Sequence, residues 1–273
     1  MKGRAALPVF HFVMRAPPIV RIGRFFFAVG MVAFGIQFFI LARDVDKLAP
    51  AWPAWLPGQP WAYAAGSILI AGGVSIILGA RARLAAILLG TIILLWDLFR
   101  DVDLIKVAAT SLDIVKALAL GGGAFVIAGT FPREARHSGG RLSSLLKPME
   151  KLIPLGRFLL APQMIVAGTE HFIYVRFVVD LVPAWIPGHL FWTYFSGTAL
   201  IAGGIGLIVK RTARLAAGLL GATIFIWVLV LHVPRAIADL HSANEWTSVF
   251  QALAMSGIAF ILATTPPRDS PAG

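Results

Sequence analysis

Long apolar runs, separated by short clusters of charge, proline and glycine, order the whole chain. Eight runs, near 20 to 42, 61 to 80, 83 to 101, 112 to 131, 154 to 178, 190 to 209, 214 to 234 and 247 to 265, reach or approach the roughly 20 helical residues that a bilayer core requires. None alternates apolar and polar positions with period two. Lipid admits only helices or closed barrels, because every backbone polar group must be paired internally. The pattern predicts an all-α integral membrane protein with eight transmembrane helices.

The runs repeat in order. "GSILIAGGVSI" at 66 to 76 matches "GTALIAGGIGL" at 197 to 207, and "RLAAILLG" at 83 to 90 matches "RLAAGLLG" at 214 to 221. "GRF" recurs at 23 and 156, "PAW" at 50 and 183, and "AFVIAGTFPRE" at 124 resembles "AFILATTPPRD" at 259. The spacing shifts only where loops fall, as insertions between repeats do. Two tandem four-helix repeats are expected, 20–131 and 154–265. A cytoplasmic segment 1–19 precedes them, a cytoplasmic linker 132–153 joins them, and a cytoplasmic tail 266–273 follows. Four spans per repeat is an even number, so the repeats share orientation, related by an axis along the membrane normal. Gly72, Gly73 and Gly90, with their partners Gly203, Gly204 and Gly221, read as close-packing points between helices.

Composition agrees with a lipid solvent: 58% of residues are hydrophobic and 14% charged. The net charge of +11 is spread in short clusters between apolar runs, which argues against nucleic acid as a partner. With the N-terminus inside, 17 of the 24 lysines and arginines fall on the inner side, so both termini are expected to be cytoplasmic. Arg15 and the pair Pro17, Pro18 interrupt the opening before any cleavable signal core, so the first helix reads as an uncleaved anchor. With no cysteine, disulfides, thiolate nucleophiles, iron–sulfur clusters and cysteine-bound zinc are excluded. No metal site is read from the remaining residues. Redox chemistry would need a borrowed cofactor or partner.

An ionisable residue inside a span costs a few kcal/mol, about 2.5–3.5 at the helix centre on insertion scales, so each asks for a reason. Helical rise places Glu170, His171, Tyr194, His232 and Gln251 at a similar outer depth in the second repeat. Such convergence between bundle helices is what a ligand site looks like. Trp185 and Trp192 are its candidate aromatic walls. Aligned positions of the first repeat hold Gln37, Phe38, Tyr63, Asp101 and Lys116, with Asp101 and Lys116 read as a structural ion pair. A purely structural alternative has Glu170 paired with Arg176 or Arg235. Tryptophans of the outer loops, Trp52, Trp55 and Trp185, serve equally as headgroup anchors or as a lid. Pro162 is expected to kink its span below Glu170.

The sequence "GTEHF", then "VPAWIPG", "FWTYFSGTALIAGG" and "RTARLAAGLLG" resembles the DoxX family of small four-helix membrane proteins. The resemblance spans both halves and is clearest in the second; the first departs from it with Gln37 and Phe38 in place of Glu170 and His171. It implies a fold and a membrane location, expected to be the bacterial inner (plasma) membrane. Some relatives are similar to quinone-linked or other membrane oxidoreductase subunits. The expected function is a subunit of a membrane redox system, with a membrane or peripheral redox partner. It would bind a small apolar ligand, quinone- or lipid-like, in the outer half of the second repeat. Haem b on His171 and His232, a small-molecule transporter and a non-catalytic membrane scaffold remain as alternatives.

Overall fold

The computed structural model describes residues 16–42, 58–98, 107–132 and 148–265. Asp101, the outer loop with Trp52 and Trp55, and most of the segments 1–19, 132–153 and 266–273 lie outside the described residues. Within the described residues the apolar runs form helices, and no strand occurs. The first half contributes α1 (Pro18–Ile40), α2 (Gly58–Leu78), α3 (Ala82–Leu98) and α4 (Val107–Gly129). The second contributes α5 (Gly156–Ile173), α6 (Val175–Leu181), α7 (His189–Ile208), α8 (Ala213–Trp227), α9 (Val233–Ala238) and α10 (Ala243–Thr264). A π-helical turn, Val228–His232, carries α8 into α9.

Among the described residues, six helical stretches are long and apolar enough to cross a membrane: α1, α2, α5 with its lead-in, α7, the stretch Ala213–Ala238, and α10. The apolar stretches of α3 and α4 are shorter. Large apolar side chains such as Phe25, Ile40, Phe195 and Leu215 stand exposed on the outer faces. That arrangement suits lipid and would be costly against water.

In lipid, helices gain little from hydrophobic burial and associate by close packing, so small residues mark the crossings. A Cβ on Gly35 would stand 2.6 Å from the Gly66 carbonyl oxygen, and one on Gly168 would stand 2.6 Å from that of Gly197. These glycines let α1 lie along α2, and α5 along α7. Gly72 packs on Leu89 and Gly203 on Leu220, so the glycines singled out in the sequence do lie at helix crossings. The last helix of each half crosses to the first helix of the other: α10 packs on α1, α4 packs on α5, and α4 and α10 meet centrally. Gly257 with Gly23, and Gly122 with Gly156, form those two crossings.

Arginines close the ends of the crossing helices. Arg83 Nη1 donates to the Ala128 and Phe131 carbonyls, each at 3.0 Å, and Arg214 Nε donates to the Ala263 carbonyl at 3.2 Å. Each thereby satisfies helix C-terminal carbonyls that lack an intrahelical partner. Arg24 is buried; its Nε donates to Thr130 Oγ1 at 2.8 Å, and its guanidinium lies 3.9 Å from the centre of the Phe131 ring.

Two spans differ from the single helices expected. The helix runs on through Pro162, which forfeits one backbone bond, and ends instead at Tyr174, where ψ opens to 34° before α6 begins. The span near 214 to 234 widens into the π turn because Pro234, with no N–H to give, stands two residues after it.

Candidate functional site

Between the helices of the second half lies a cavity of about 400 Å³. Each wall helix presents one stripe to it. From α5 come Gln163, Ala167, Glu170 and His171; from α7, Trp192, Thr193, Ser196 and Leu200; from α8 and its π turn, Ile224, Trp227, Leu231 and His232; from α10, Ser248, Gln251 and Met255. Intervals of three and four residues place each set on a single helix face. Tyr174 at the helix break, with Phe177 and Val178 of α6, lines one end. Trp192 and Trp227 meet edge to face at 6.2 Å, forming an aromatic corner.

Glu170, His171, Trp192, His232 and Gln251 are thus brought to one space. Glu170 and His171 both reach it, although adjacent helical residues point about 100° apart. Two others do not. Tyr194 lies on the opposite side of α7 from Trp192 and is 41% exposed, its ring 5.5 Å from that of Phe172. Phe39 and Tyr63 make the same pair in the first half at 5.3 Å, so Tyr194 belongs to the helix packing common to both halves. Trp185 is 72% exposed on the loop before α7, because Val182 and Ile186 take the inward positions around it.

Hydrogen bonding gives the polar groups direction. His171 Nδ1 is 2.8 Å from the Ala167 carbonyl oxygen. A carbonyl only accepts, so in the neutral ring Nδ1 carries the proton and Nε2 is left as an acceptor. Arg235 makes a bidentate pair with Glu245, at 3.1 and 2.5 Å, and so is engaged away from Glu170. The cation that acts on Glu170 comes from the other half. Lys116 of α4 lines the cavity and interacts electrostatically with the Glu170 carboxylate. Its pairing with Asp101 falls outside the described residues. At the quasi-equivalent junction, where α10 meets α1, Gln37 Nε2 donates to the Ala243 carbonyl and Thr247 Oγ1 donates to Gln37 Oε1, both at 3.2 Å. One crossing is therefore tied by a neutral amide and the other is charged.

Three polar wall residues were not singled out from the sequence: Gln163, Thr193 and Ser196. All are buried. Thr193 Oγ1 donates to the His189 carbonyl at 3.0 Å, whereas Gln163 Oε1 and Ser196 Oγ have no hydrogen-bond partner among the described residues. Their signal was present in the spacing: Gln163 stands seven and eight residues before Glu170 and His171, on the same face. The first half shows what the fold needs at these places. Counterparts of Gln163, Thr193 and Ser196 are Gly30, Ala62 and Ala65; those of Ala167 and His171 are Phe34 and Phe38, 4% and 1% exposed. Phe38 packs edge-on against Trp96 at 5.5 Å, the counterpart of Trp227. At these positions the first half packs with apolar residues, so the fold itself does not require Gln163, Thr193, Ser196 or His171 there, whereas Glu170 and Gln251 have polar counterparts in Gln37 and Lys116.

No curated protein and no solved structure matches the chain significantly. Two family models match parts of it. Residues 160–262 match a domain of unknown function (DUF8561), and residues 19–100 match DoxX. The DoxX match thus falls on the half with Gln37 and Phe38, not on the half with "GTEHF" where the resemblance reads most clearly. Within this integral membrane protein, residues 19–100 are thus similar to the DoxX family.

Proposed function

We propose that the chain binds a small, largely apolar molecule with a polar head, quinone- or lipid-like, in the cavity of its second half, as a subunit of a membrane redox system. The observation that carries the reading is the convergence of Glu170, His171, His232 and Gln251 on one cavity with aromatic and aliphatic walls. Ligand pockets combine just such walls with a few polar groups, in volumes of roughly 300–1,000 Å³. The apolar residues at the first-half counterparts of His171, Gln163, Thr193 and Ser196 support it further, since intramembrane polar groups without a structural need point to function. The two halves are read as tandem repeats of four spans each, in parallel orientation, with both termini cytoplasmic. Recurrence of the glycine crossings, the Phe–Tyr ring pairs and the arginine caps at matching positions supports that reading.

Native mass spectrometry of the protein purified in mild detergent, with extraction of what co-purifies, tests the binding claim. A bound quinone or lipid in wild type, lost on His232→Ala with folding retained, is the expected result. An absorption spectrum of the same sample separates the haem alternative: a Soret band that disappears with either His171 or His232 would replace the quinone- or lipid-like ligand by haem b. A homogeneous protein with nothing bound, and no binding of added quinone or lipid, would overturn the reading.

A further inference from the structure

Exposure varies sharply along the cavity wall. Among the described residues that line it, only Tyr174 and Phe177 are exposed, at 56% and 65%; the others are buried or half-buried. A side chain that lines a cavity and also stands on the surface marks its mouth. Both residues belong to the break where α5 ends and α6 begins, within about two helical turns of Glu170 and His171.

The short helix α6 has no buried residue. Its charged side chains, Arg176 and Asp180, are exposed and share one edge, four residues apart, whereas Tyr174, Phe177, Val178 and Leu181 form the apolar stripe that reaches the cavity. A helix divided in this way lies along a membrane surface, with charge toward water and its apolar stripe toward hydrocarbon. The surroundings of the mouth agree. Phe172 and Ile173, just before Tyr174, are exposed, as are Leu190 and Phe191 at the start of α7, on which α6 packs. Exposed apolar side chains suit lipid, and aromatic rings gather at its boundary with water.

The first half differs in sequence at this place. From "GRF" to "PAW" the two halves keep a constant spacing, which pairs "VRFVVDL" at 175 to 181 with "ARDVDKL" at 42 to 48. Asp44 and Asp46, which lie outside the described residues, stand at the positions of Phe177 and Val179. The apolar stretch thus accompanies the half that holds the cavity.

We propose that the cavity opens to the bilayer past Tyr174 and Phe177, and that its ligand arrives through this mouth from the lipid phase rather than from water. The inference rests on the reading of the cavity as a ligand site. It narrows the ligand to a membrane-dissolved molecule, as opposed to a water-soluble one.

The chain has no cysteine, so Phe177→Cys carries a unique thiol. Labelled with bimane in reconstituted vesicles, this variant should be quenched more strongly by brominated acyl chains than by aqueous iodide. The reverse order overturns the inference, because the mouth then opens to water. Decylubiquinone and dioleoylglycerol, delivered in vesicles and followed by quenching of tryptophan emission, test passage. N-cyclohexylmaleimide attached to Phe177→Cys should slow association and dissociation of the bound probe alike, by about tenfold, with affinity little changed. The same reagent on Leu215→Cys, an exposed position of α8 outside the cavity wall, should change neither rate. Phe177→Ala, with its smaller side chain, should speed both. Unchanged rates in labelled Phe177→Cys, or equal slowing at both labelled positions, overturn the inference and leave the ligand site standing. A loss of affinity carried by dissociation alone overturns it as well, by making Phe177 an ordinary wall contact. If neither probe binds the wild-type protein, the ligand-site reading fails and the inference with it.

Discussion

At the scale of single residues, two arginines at matching positions serve one structural purpose unequally. Arg83 donates to two carbonyls of the α4 terminus from a side chain 12% exposed and also meets Glu150 at 3.5 Å, whereas Arg214 donates to one carbonyl from an exposed position. Charge-assisted bonds in a sheltered place outweigh those in a wet one. Arg83→Ala should therefore lower stability by about 2 kcal/mol, and Arg214→Ala by less than half of that, in chemical denaturation from detergent. Equal losses would show that these bonds do not set the difference. His171 is informative at the same scale. Its Cβ meets Gly197 as the Phe38 Cβ meets Gly66, so the two side chains leave their helices in corresponding directions. The fold thus accepts either an apolar ring or an imidazole at this place.

At the scale of elements, the π turn and the α5–α7 crossing position the site. Pro234 denies a backbone donor to the turn before it, and the wider turn carries His232 to the cavity wall. Pro234→Ala should let the stretch tighten into a regular α-helix and rotate His232 by about 100° relative to α8, one residue's turn. Ligand retention should then fall while thermal stability holds or rises; undiminished retention would mean that the π turn is incidental to binding. Gly168→Val is expected to act the other way. Its added carbons meet the Gly197 carbonyl and Ile201, so it should cost about 1–3 kcal/mol and lower thermal stability directly. Much of this level was legible in the chain. Apolar runs gave the helices, and glycine pairs gave the crossings. Depth along a helix also drew Glu170, His171, His232 and Gln251 together. Depth without azimuth is what misplaced Tyr194, which has the right level and faces away. Trp185 was misread for a related reason: a loop has no helical period from which its direction could be taken. Ser196 escaped notice because small hydroxyl residues in spans commonly bond their own backbone, as Thr193 does, and so carry little signal.

At the scale of the molecule, the exchange of last helices between halves joins them into one body. Lys116 also lines the cavity of the other half, across that exchange, a placement that its own half gave no sign of. The proposed topology predicts that reporter fusions after Thr110, Ala184 or Ser242 read as outside, and fusions after Ser138 or Gly273 as inside. An outside C-terminus would contradict the charge bias along the chain. The central claim, that the second half holds a ligand site where Phe34 and Phe38 fill the corresponding place of the first half, meets its most direct measurement in one substitution. His171→Phe puts the first-half residue into the second half, a change the fold already accommodates at Phe38. Native mass spectrometry of the folded variant should show the co-purifying molecule gone, with melting temperature equal to or above wild type. A variant that keeps the molecule bound, or that unfolds because the imidazole was needed for packing, would contradict the account.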